Sequence, residues 1–210
     1  MTPFRFVFFD VDSTLASIEG IDILGDNNPE IARLTEAAMN GEIALDVVYG
    51  RRLELIRPTR AAVESLGQRY VESLVPGAAR TVAALQDARV QVHLVTAGIE
   101  QAILPLAASL NIPQRAVHAV RLRFDEQGNY EDFDRRSFLT KSGGKELVVR
   151  DVRARTHGRV ALVGDGVSDL EAKAAVDLFI GFGGVAVREK VKQNAEIYAM
   201  SFDEVLSALS

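Results

Sequence analysis

The hydrophobic pattern begins with an almost continuous apolar run at Phe4–Phe9, which only Arg5 interrupts. A short apolar run without alternation predicts a strand that is buried on both faces, as in a parallel sheet. Similar runs predict further strands at residues 90–95, 117–124, 160–163, 178–180 and 197–200. Most of these runs are separated by stretches of helical spacing. The pattern therefore predicts an α/β fold with a doubly wound parallel sheet and right-handed crossovers.

Residues 17–76 break this alternation, because their apolar positions recur at helical spacing and no good strand signal is present. Asn28-Pro29 has the character of an N-cap followed by proline in the first turn, and Thr59 is a second candidate cap. A helical block between the first and second strands predicts an insertion that covers the active edge of the sheet. We therefore predict a core of residues 1–16 and 77–210, with a small helical cap of residues 17–76.

Composition narrows the class of protein. The chain has 210 residues, a net charge of −5 and no cysteine. The acidic balance disfavours a nucleic-acid partner, and the lack of cysteine excludes disulfides, thiolate metal sites and a thiol nucleophile. No apolar run reaches the roughly 18 residues that span a bilayer. We expect a soluble cytoplasmic protein, monomer or homodimer, without membrane or nucleic-acid partners.

Polar side chains follow several predicted strands at the point where each strand ends, and a lysine opens a later helix. These residues are Asp10, Asp12, Thr96, Lys145, Asp165 and Asp169. Each alone has an ordinary explanation as a turn residue, a helix cap or a solvated lysine. Together they indicate one site, because ligands of open α/β sheets bind outside the carboxyl ends of the strands.

Four motifs carry a resemblance to a known family. They are Asp10-Val11-Asp12-Ser13-Thr14, the strand-end hydroxyl of Thr96, Gly143-Gly144-Lys145, and Gly164-Asp165-Gly166-Val167-Ser168-Asp169. In this order they resemble the motifs of the haloacid dehalogenase superfamily, in its phosphoserine phosphatase branch. The similarity continues at Glu19-Gly20-Ile21-Asp22 and Arg52-Leu53 and covers nearly the full length.

This resemblance implies a Rossmann-like core with a helical cap, and Mg²⁺-dependent hydrolysis of O-phospho-L-serine to L-serine and phosphate through an aspartyl-phosphate intermediate. Such an activity would belong to serine biosynthesis. Asp10 is then the nucleophile, Asp12 the acid and base for proton transfer, and Lys145 the group that neutralises the phosphate.

The metal and substrate contacts follow from the same resemblance. Mg²⁺ would be held by the carboxylates of Asp10 and Asp165 and the main-chain carbonyl of Asp12, with Asp169 orienting Lys145 or a water on the metal. Arg52 would bind the serine carboxylate and Glu19 the serine ammonium, although without the resemblance these two predict only a surface ion pair. The remaining expected substrate contacts are Met39, Thr96, Ala97, Gly98 and Ser168.

One departure from the family pattern keeps alternatives open. The family usually has Ser-Gly-Gly after the second strand, whereas this chain has Thr96-Ala97-Gly98. The methyl of Ala97 resists a positive φ and could crowd the phosphate. The alternatives are a phosphatase for another small phosphomonoester, a phosphotransferase from phosphoserine to another amino-acid hydroxyl, and a non-catalytic phosphate-binding module. The presence of Asp10, Asp12 and Lys145 disfavours the last. We assign no role to His93, His118 and His157.

Overall fold

The computed structural model describes residues 4–26, 28–155 and 157–210. Its strands, in chain order, are β1 (Phe4–Phe9), β2 (Gln91–Ile99), β3 (Val117–Val120), β4 (Leu122–Phe124), β5 (Tyr130–Phe133), β6 (Arg159–Gly164), β7 (Leu178–Phe182) and β8 (Ile197–Ala199). Its α-helices are α1 (Gly20–Leu24), α2 (Pro29–Met39), α3 (Leu45–Ile56), α4 (Arg60–Glu72), α5 (Ala78–Asp87), α6 (Glu100–Ser109), α7 (Gly144–Ala154), α8 (Val167–Glu171), α9 (Glu189–Asn194) and α10 (Phe202–Leu209).

Six strands form one parallel sheet in the order β3-β2-β1-β6-β7-β8, and helices flank it. The strand β1 lies at the centre, where Val7 is opposite Val92 of β2 and Ala161 of β6. Successive side chains of a strand point to opposite faces. Accordingly, Phe9 packs near Phe202 of α10, whereas Phe8 lies on the other face beside its cross-strand neighbour His93, and both phenylalanines are fully buried. The predicted doubly wound parallel sheet is confirmed, and β1 is covered on both faces.

Three local predictions need correction. Residues 117–124 do not form one strand: β3 ends at Val120, and β4 turns away to pair with β5 in a separate antiparallel sheet. Arg121, between β3 and β4, is exposed to solvent, because its charged side chain would be costly to bury inside the parallel sheet. The strand β2 continues to Ile99, so Thr96, Ala97 and Gly98 belong to its last residues. The short helix α1, which begins at Gly20 and has no side-chain cap, was not predicted.

The helices α1 to α4 lie between β1 and β2 in the chain. The Asn28 side chain caps α2, with Pro29 in the first turn, and the Thr59 hydroxyl caps α4, as predicted. The segment leaves and re-enters the core at one place, because Ala16 and Leu74 form an antiparallel bridge. Whether residues 17–76 behave as a separate cap stays a prediction. None of the described helices has the length and apolar character needed to cross a membrane.

The helix α4 packs closely along α6. A Cβ on Gly67 in the middle of α4 would come within 2.9 Å of Pro105 Cγ and 3.4 Å of the Ala102 carbonyl oxygen. Glycine is ordinarily unfavourable inside a helix, so its presence here reflects this close approach. Both helices also contribute buried apolar side chains, among them Leu66 of α4 and Ile103 of α6. The helix α4 is therefore held firmly against the core.

Candidate active site

A cleft lies where the carboxyl ends of the central strands meet the helices of residues 17–76. It encloses about 770 Å³ of non-protein space, part of it open to solvent. Of the residues predicted from the sequence, those lining it are Asp10, Asp12, Glu19, Met39, Arg52, Thr96, Ala97, Gly98, Lys145 and Ser168. Asp165 and Asp169 are buried next to this cleft, because Asp169 contacts Lys145 and the Asp165 carboxylate lies within 4.8 Å of that of Asp10. The structure thus brings the predicted residues to one place.

The first motif forms a tight turn directly after β1. The Asp10 amide donates to the Val163 carbonyl of β6, which extends the sheet pairing to the carboxylate itself. The Ala16 amide then donates to the Val11 carbonyl, closing the turn over Val11–Leu15. Ser13 adopts a left-handed φ of +51°, which is costly for a residue other than glycine. This turn sets the direction in which the chain leaves β1, and with it the orientation of the Asp10 and Asp12 carboxylates.

Lys145 reaches Asp10 from the first turn of α7. Its Nζ lies 2.8 Å from Asp10 Oδ2 and 2.7 Å from Asp169 Oδ1, and all three side chains are buried. Burial opposes the charge of Lys145, but the two carboxylates outweigh it and hold the pKa of Lys145 above its usual value. A Cβ on Gly144 would lie 1.9 Å from the Phe138 carbonyl oxygen, so only glycine lets α7 begin here.

Asp165 and Asp169 stand behind Asp10 at the end of β6. The Thr14 hydroxyl donates to Asp165 Oδ1 at 2.9 Å, and the Gly166 amide donates to Asp169 Oδ2 at 3.1 Å. Carboxylate oxygens of Asp10, Asp165 and Asp169 lie within 4.8 Å of one another. Burial and the Asp10 charge raise the pKa of Asp165 to about 6 and the pKa of Asp169 well above its usual value. Burial is the larger cause for both groups, and the crowding of like charges adds to it.

This oxygen cluster fits a hard divalent cation. Such ions take carboxylate and carbonyl oxygens, and a cation would relieve the repulsion that raises these pKa values. The Asp169 side chain belongs to this cluster, although the sequence predicted it only as a neighbour of Lys145 or of a water on the metal. The Asp12 side chain does not belong to it. The predicted contact of Asp12 was through its main-chain carbonyl. Asp169 also contacts Lys145, which is the position expected from the sequence.

Arg188 was not singled out in the sequence, yet it lies at the edge of this cluster. Its Nε is 3.0 Å from Asp165 Oδ2, and its Nη1 is 3.0 Å from Glu36 Oε1 of α2. The side chain is buried, and Nη1 also reaches Asn40. Burial opposes its charge, but Asp165 and Glu36 keep the pKa of Arg188 raised. Sequence reasoning missed it because its partners lie far away in the chain.

The Asp12 side chain is held by two donors. The Tyr70 hydroxyl donates to Asp12 Oδ1 at 2.6 Å, and the Gly20 amide donates to the same oxygen at 2.8 Å. The other oxygen, Oδ2, lies 3.3 Å from the Thr96 hydroxyl. Burial and the nearby Asp10 carboxylate raise the pKa of Asp12, while the two hydrogen bonds oppose this. Tyr70 belongs to none of the four sequence motifs and was not singled out from the sequence.

Glu19 and Arg52 do not form the surface ion pair that was the ordinary alternative. Arg52 is only 6% exposed and forms no ion pair within 4 Å with the described acids, whereas Glu19 Oε1 lies 4.0 Å from Arg188 Nη2. Its Nη1 donates to the Thr35 hydroxyl at 3.1 Å, while its buried Nε has no partner in the described part of the chain. Glu19 accepts from the Ser13 hydroxyl at 2.6 Å, and burial together with Asp12 raises its pKa well above normal.

The remaining predicted contacts surround the space beside Asp10. The Thr96 hydroxyl accepts from the Gly98 amide at 2.9 Å, and the Ala97 carbonyl accepts from the Tyr49 hydroxyl at 3.0 Å. Ala97 is not among the described residues with positive φ, so its methyl causes no backbone strain, contrary to the concern raised by the sequence. Met39 lies over Gly166, where a Cβ would come within 2.9 Å of the Met39 methyl.

Comparisons with known proteins agree with this geometry. The family model for haloacid dehalogenase-like hydrolases matches residues 7–173. The phosphoserine phosphatase of Bos taurus is 39% identical over 207 residues, covering 97% of this chain and 92% of the bovine protein. The phosphoserine phosphatase of Homo sapiens is 38% identical with the same coverage.

A solved structure extends the likeness to the fold. A phosphoserine phosphohydrolase-like protein from Francisella tularensis superposes with a TM-score of 0.90 at 24% identity, covering 98% of this chain and 100% of that protein. The family match and the two curated relatives span most of the chain, including the four motifs and the residues around the cleft. The chain therefore belongs to the haloacid dehalogenase-like hydrolases and, within them, to the phosphoserine phosphatase-like phosphomonoester hydrolases.

Proposed function

We propose that this enzyme hydrolyses O-phospho-L-serine to L-serine and phosphate, with Mg²⁺ as cofactor and an aspartyl-phosphate at Asp10 as intermediate. The observation that supports this substrate concerns the buried Arg52 guanidinium. It lines the same cleft as Asp10, and its Nε has no partner in the described chain. A buried unpaired cationic donor is costly, so a ligand carboxylate is the natural partner. The curated relatives bear the same substrate in their name.

The opposite charge of the substrate has a partner in Glu19. Its carboxylate lines the cleft that Arg52 also lines, and a ligand ammonium would offset the burial that raises its pKa. A zwitterionic amino acid supplies both complementary charges. The phosphate then lies at Asp10, where Lys145 Nζ stands 2.8 Å from the nucleophile and neutralises the incoming dianion.

In the first half of the reaction, an Asp10 carboxylate oxygen attacks phosphorus and the bond from phosphorus to the serine oxygen breaks. The Asp12 carboxyl gives its proton to the departing serine oxygen, so serine leaves as the alcohol. The raised pKa of Asp12, caused by burial and by Asp10, suits a group that must hold a proton beforehand.

In the second half, the Asp12 carboxylate removes a proton from a water molecule, and that water attacks phosphorus of the aspartyl-phosphate. The bond from phosphorus to the Asp10 oxygen breaks, which releases phosphate and regenerates both carboxyl groups. Thr96, the Ala97 and Gly98 amides and Ser168 are proposed as phosphate contacts, and Met39 as a wall of the substrate site, since all line the cleft.

The residues that would hold Mg²⁺ are Asp10, Asp165 and Asp169 through their carboxylates and Asp12 through its main-chain carbonyl. When bound, the ion supplies positive charge that screens the repulsion between the Asp10 carboxylate and the phosphate. The cap of residues 17–76, the cytoplasmic location, the monomeric or dimeric state and the lack of nucleic-acid or membrane partners remain predictions.

The test is phosphate release from a panel of phosphomonoesters with Mg²⁺, phosphoserine included, with and without free amino-acid hydroxyl acceptors. We expect phosphoserine to have the highest kcat/KM. Asp10→Asn should abolish turnover, because an amide does not attack phosphorus, whereas Asp87→Asn, at an exposed position of α5, should retain activity. Preferred transfer to an added hydroxyl would favour the phosphotransferase alternative, and wild-type turnover by Asp10→Asn would refute the covalent step.

The cofactor is tested with the same assay. Chelation should stop phosphate release, and added Mg²⁺ should restore it. Ca²⁺ should inhibit, because its larger and more flexible shell favours bidentate contact with Asp10 and occupies the attacking oxygen. Full activity in chelator, or equal activity with Ca²⁺ alone, would contradict the proposed metal site.

A further inference from the structure

We propose that Tyr70 is a positioning residue for proton transfer: its hydroxyl engages one oxygen of Asp12 and thereby assigns the exchanged proton to the other. This inference rests on the proposed function, in which Asp12 is the acid and base. The Tyr70 hydroxyl donates to Asp12 Oδ1 at 2.6 Å, and the Gly20 amide donates to the same atom at 2.8 Å. An oxygen that accepts from two donors is a poor place for a third proton.

The proton of the acid form therefore resides on Asp12 Oδ2. Among the described residues, the only side chain that hydrogen-bonds this oxygen is that of Thr96, whose hydroxyl donates to it at a long 3.3 Å. It also lies close to the end of β2, since a Cβ on Gly98 would approach it within 3.2 Å. Oδ2 is thus the Asp12 oxygen that remains available to a serine oxygen or an attacking water.

Two glycines make this contact possible. A Cβ on Gly20 would lie 2.0 Å from the Tyr70 hydroxyl oxygen, so only glycine leaves room for the ring to reach Asp12. Gly67, one helical turn before Tyr70, lets α4 approach Pro105 of α6. Tyr70 is itself 1% exposed. The hydroxyl is therefore held in place by a helix that is packed against the core.

The contact has a consequence that depends on the leaving group. A serine alkoxide is a poor leaving group and needs the Asp12 proton, whereas p-nitrophenolate leaves without one. Loss of the Tyr70 hydroxyl frees the Asp12 carboxyl to rotate and removes the bias toward Oδ2. The first half of the reaction should then slow for phosphoserine and not for p-nitrophenyl phosphate. The second half, in which Asp12 acts on water, should slow for both.

The experiment compares Tyr70→Phe with Tyr130→Phe, which removes a buried hydroxyl without a partner in the described chain, outside the cleft. For Tyr70→Phe we expect kcat/KM for phosphoserine to fall about 10- to 100-fold, a fraction of what a general acid contributes. For p-nitrophenyl phosphate, kcat/KM should change less than about 3-fold, with a burst of p-nitrophenol equal to the enzyme concentration. Tyr130→Phe should show neither effect.

Equal losses of kcat/KM on the two substrates, or no loss on either, would overturn the role of Tyr70. If Tyr70→Phe does not fold, as judged by circular dichroism, Gly20→Ala takes its place, because the added methyl displaces the hydroxyl without removing it. The same substrate-dependent pattern is expected there, and its absence would overturn the inference. Failure of the proposed function is recognised separately, because wild-type enzyme would then hydrolyse the aryl phosphate and leave phosphoserine intact.

Discussion

At the scale of single residues, Arg52 offers the most direct test of substrate choice. Arg52→Ala should lower kcat/KM for phosphoserine about 30-fold to several thousand-fold, since removal of one partner of a buried charge pair costs about 2–5 kcal/mol. The loss on p-nitrophenyl phosphate should be far smaller, because that substrate has no carboxylate. The neighbouring Arg51 is 59% exposed at its side chain, so Arg51→Ala is the matched control. Equal losses on both substrates would mean that Arg52 has a structural role.

The predictability of individual residues depended on where their partners lie in the chain. Asp10, Asp12, Lys145 and Asp165 could be proposed because each belongs to a short motif at a strand or helix end. Tyr70 has no such signal: its hydroxyl reaches Asp12, 58 positions away, and its apolar ring satisfies the helix pattern by itself. Arg188 and Glu36 are 152 positions apart. Contacts of this kind arise only when the fold brings distant segments together.

At the scale of elements, Arg188 joins α2 to the core. It bridges Glu36 of α2 and Asp165 at the end of β6, and it is buried. Arg188→Ala should raise amide hydrogen exchange in Pro29–Met39 by about 10-fold or more, because a buried charge-assisted bond is worth about 1.5–3 kcal/mol. The control is Arg51→Ala. It removes a 2.7 Å ion pair between Arg51 of α3 and Glu30 of α2, in which both side chains are exposed.

The exposed pair of Arg51 and Glu30 should therefore contribute only about 0–1 kcal/mol to stability, and its loss should change amide hydrogen exchange in α2 little. If Arg51→Ala and Arg188→Ala loosened α2 equally, burial of Arg188 would not be the reason that α2 stays attached. Exchange in α4 should not change in either variant, because α4 is held through Gly67 and α6.

Elements with long, regular patterns were predicted best. The buried strand β1 and the capped helices α2 and α4 follow from local rules of burial and capping. The break between β3 and β4 was not predicted. Val120 and Leu122 are both buried, so the apolar pattern is the same on the two sides of the break although the two residues belong to different sheets. An apolar run cannot show which partner strand each half will choose.

At the scale of the whole molecule, the contact between His93 and His118 should make a contribution to stability that depends on pH. His93 and His118 stack with Nδ1 and Nε2 3.1 Å apart, and burial, His118 and Arg115 lower the pKa of His93 from 6.5 to about 4. Between these values the unfolded chain binds the proton and the folded chain does not. The contribution of this pair to the free energy of unfolding should therefore decrease as pH falls from 6.5 toward 4. The buried carboxyls of Asp165 and Asp169, whose pKa is raised, contribute in the opposite direction.

We expect this pair to account for a loss on the order of 1–2 kcal/mol, after allowance for solvent reaching part of the ring. Urea unfolding of wild type and His93→Gln at pH 7 and pH 5 measures it, since the stability of the variant relative to the wild type should be higher at pH 5 than at pH 7. His157→Gln is the matched control at an exposed position and should follow the wild type. The same pH dependence in His93→Gln and wild type would contradict the prediction.

The meeting of the chain at Ala16 and Leu74 has a consequence for how such enzymes diversify. The Ser17 amide donates to the Ser73 carbonyl and the Val75 amide to the Leu15 carbonyl, both at 2.8 Å, so the two ends of the segment are joined side by side. One recombination event between these points would exchange Glu19, Arg52 and Tyr70 together. The reacting carboxylates would stay untouched. A lineage could thus acquire a new substrate in a single genetic step, and it would keep its phosphate chemistry as long as the incoming segment again places a hydroxyl on Asp12.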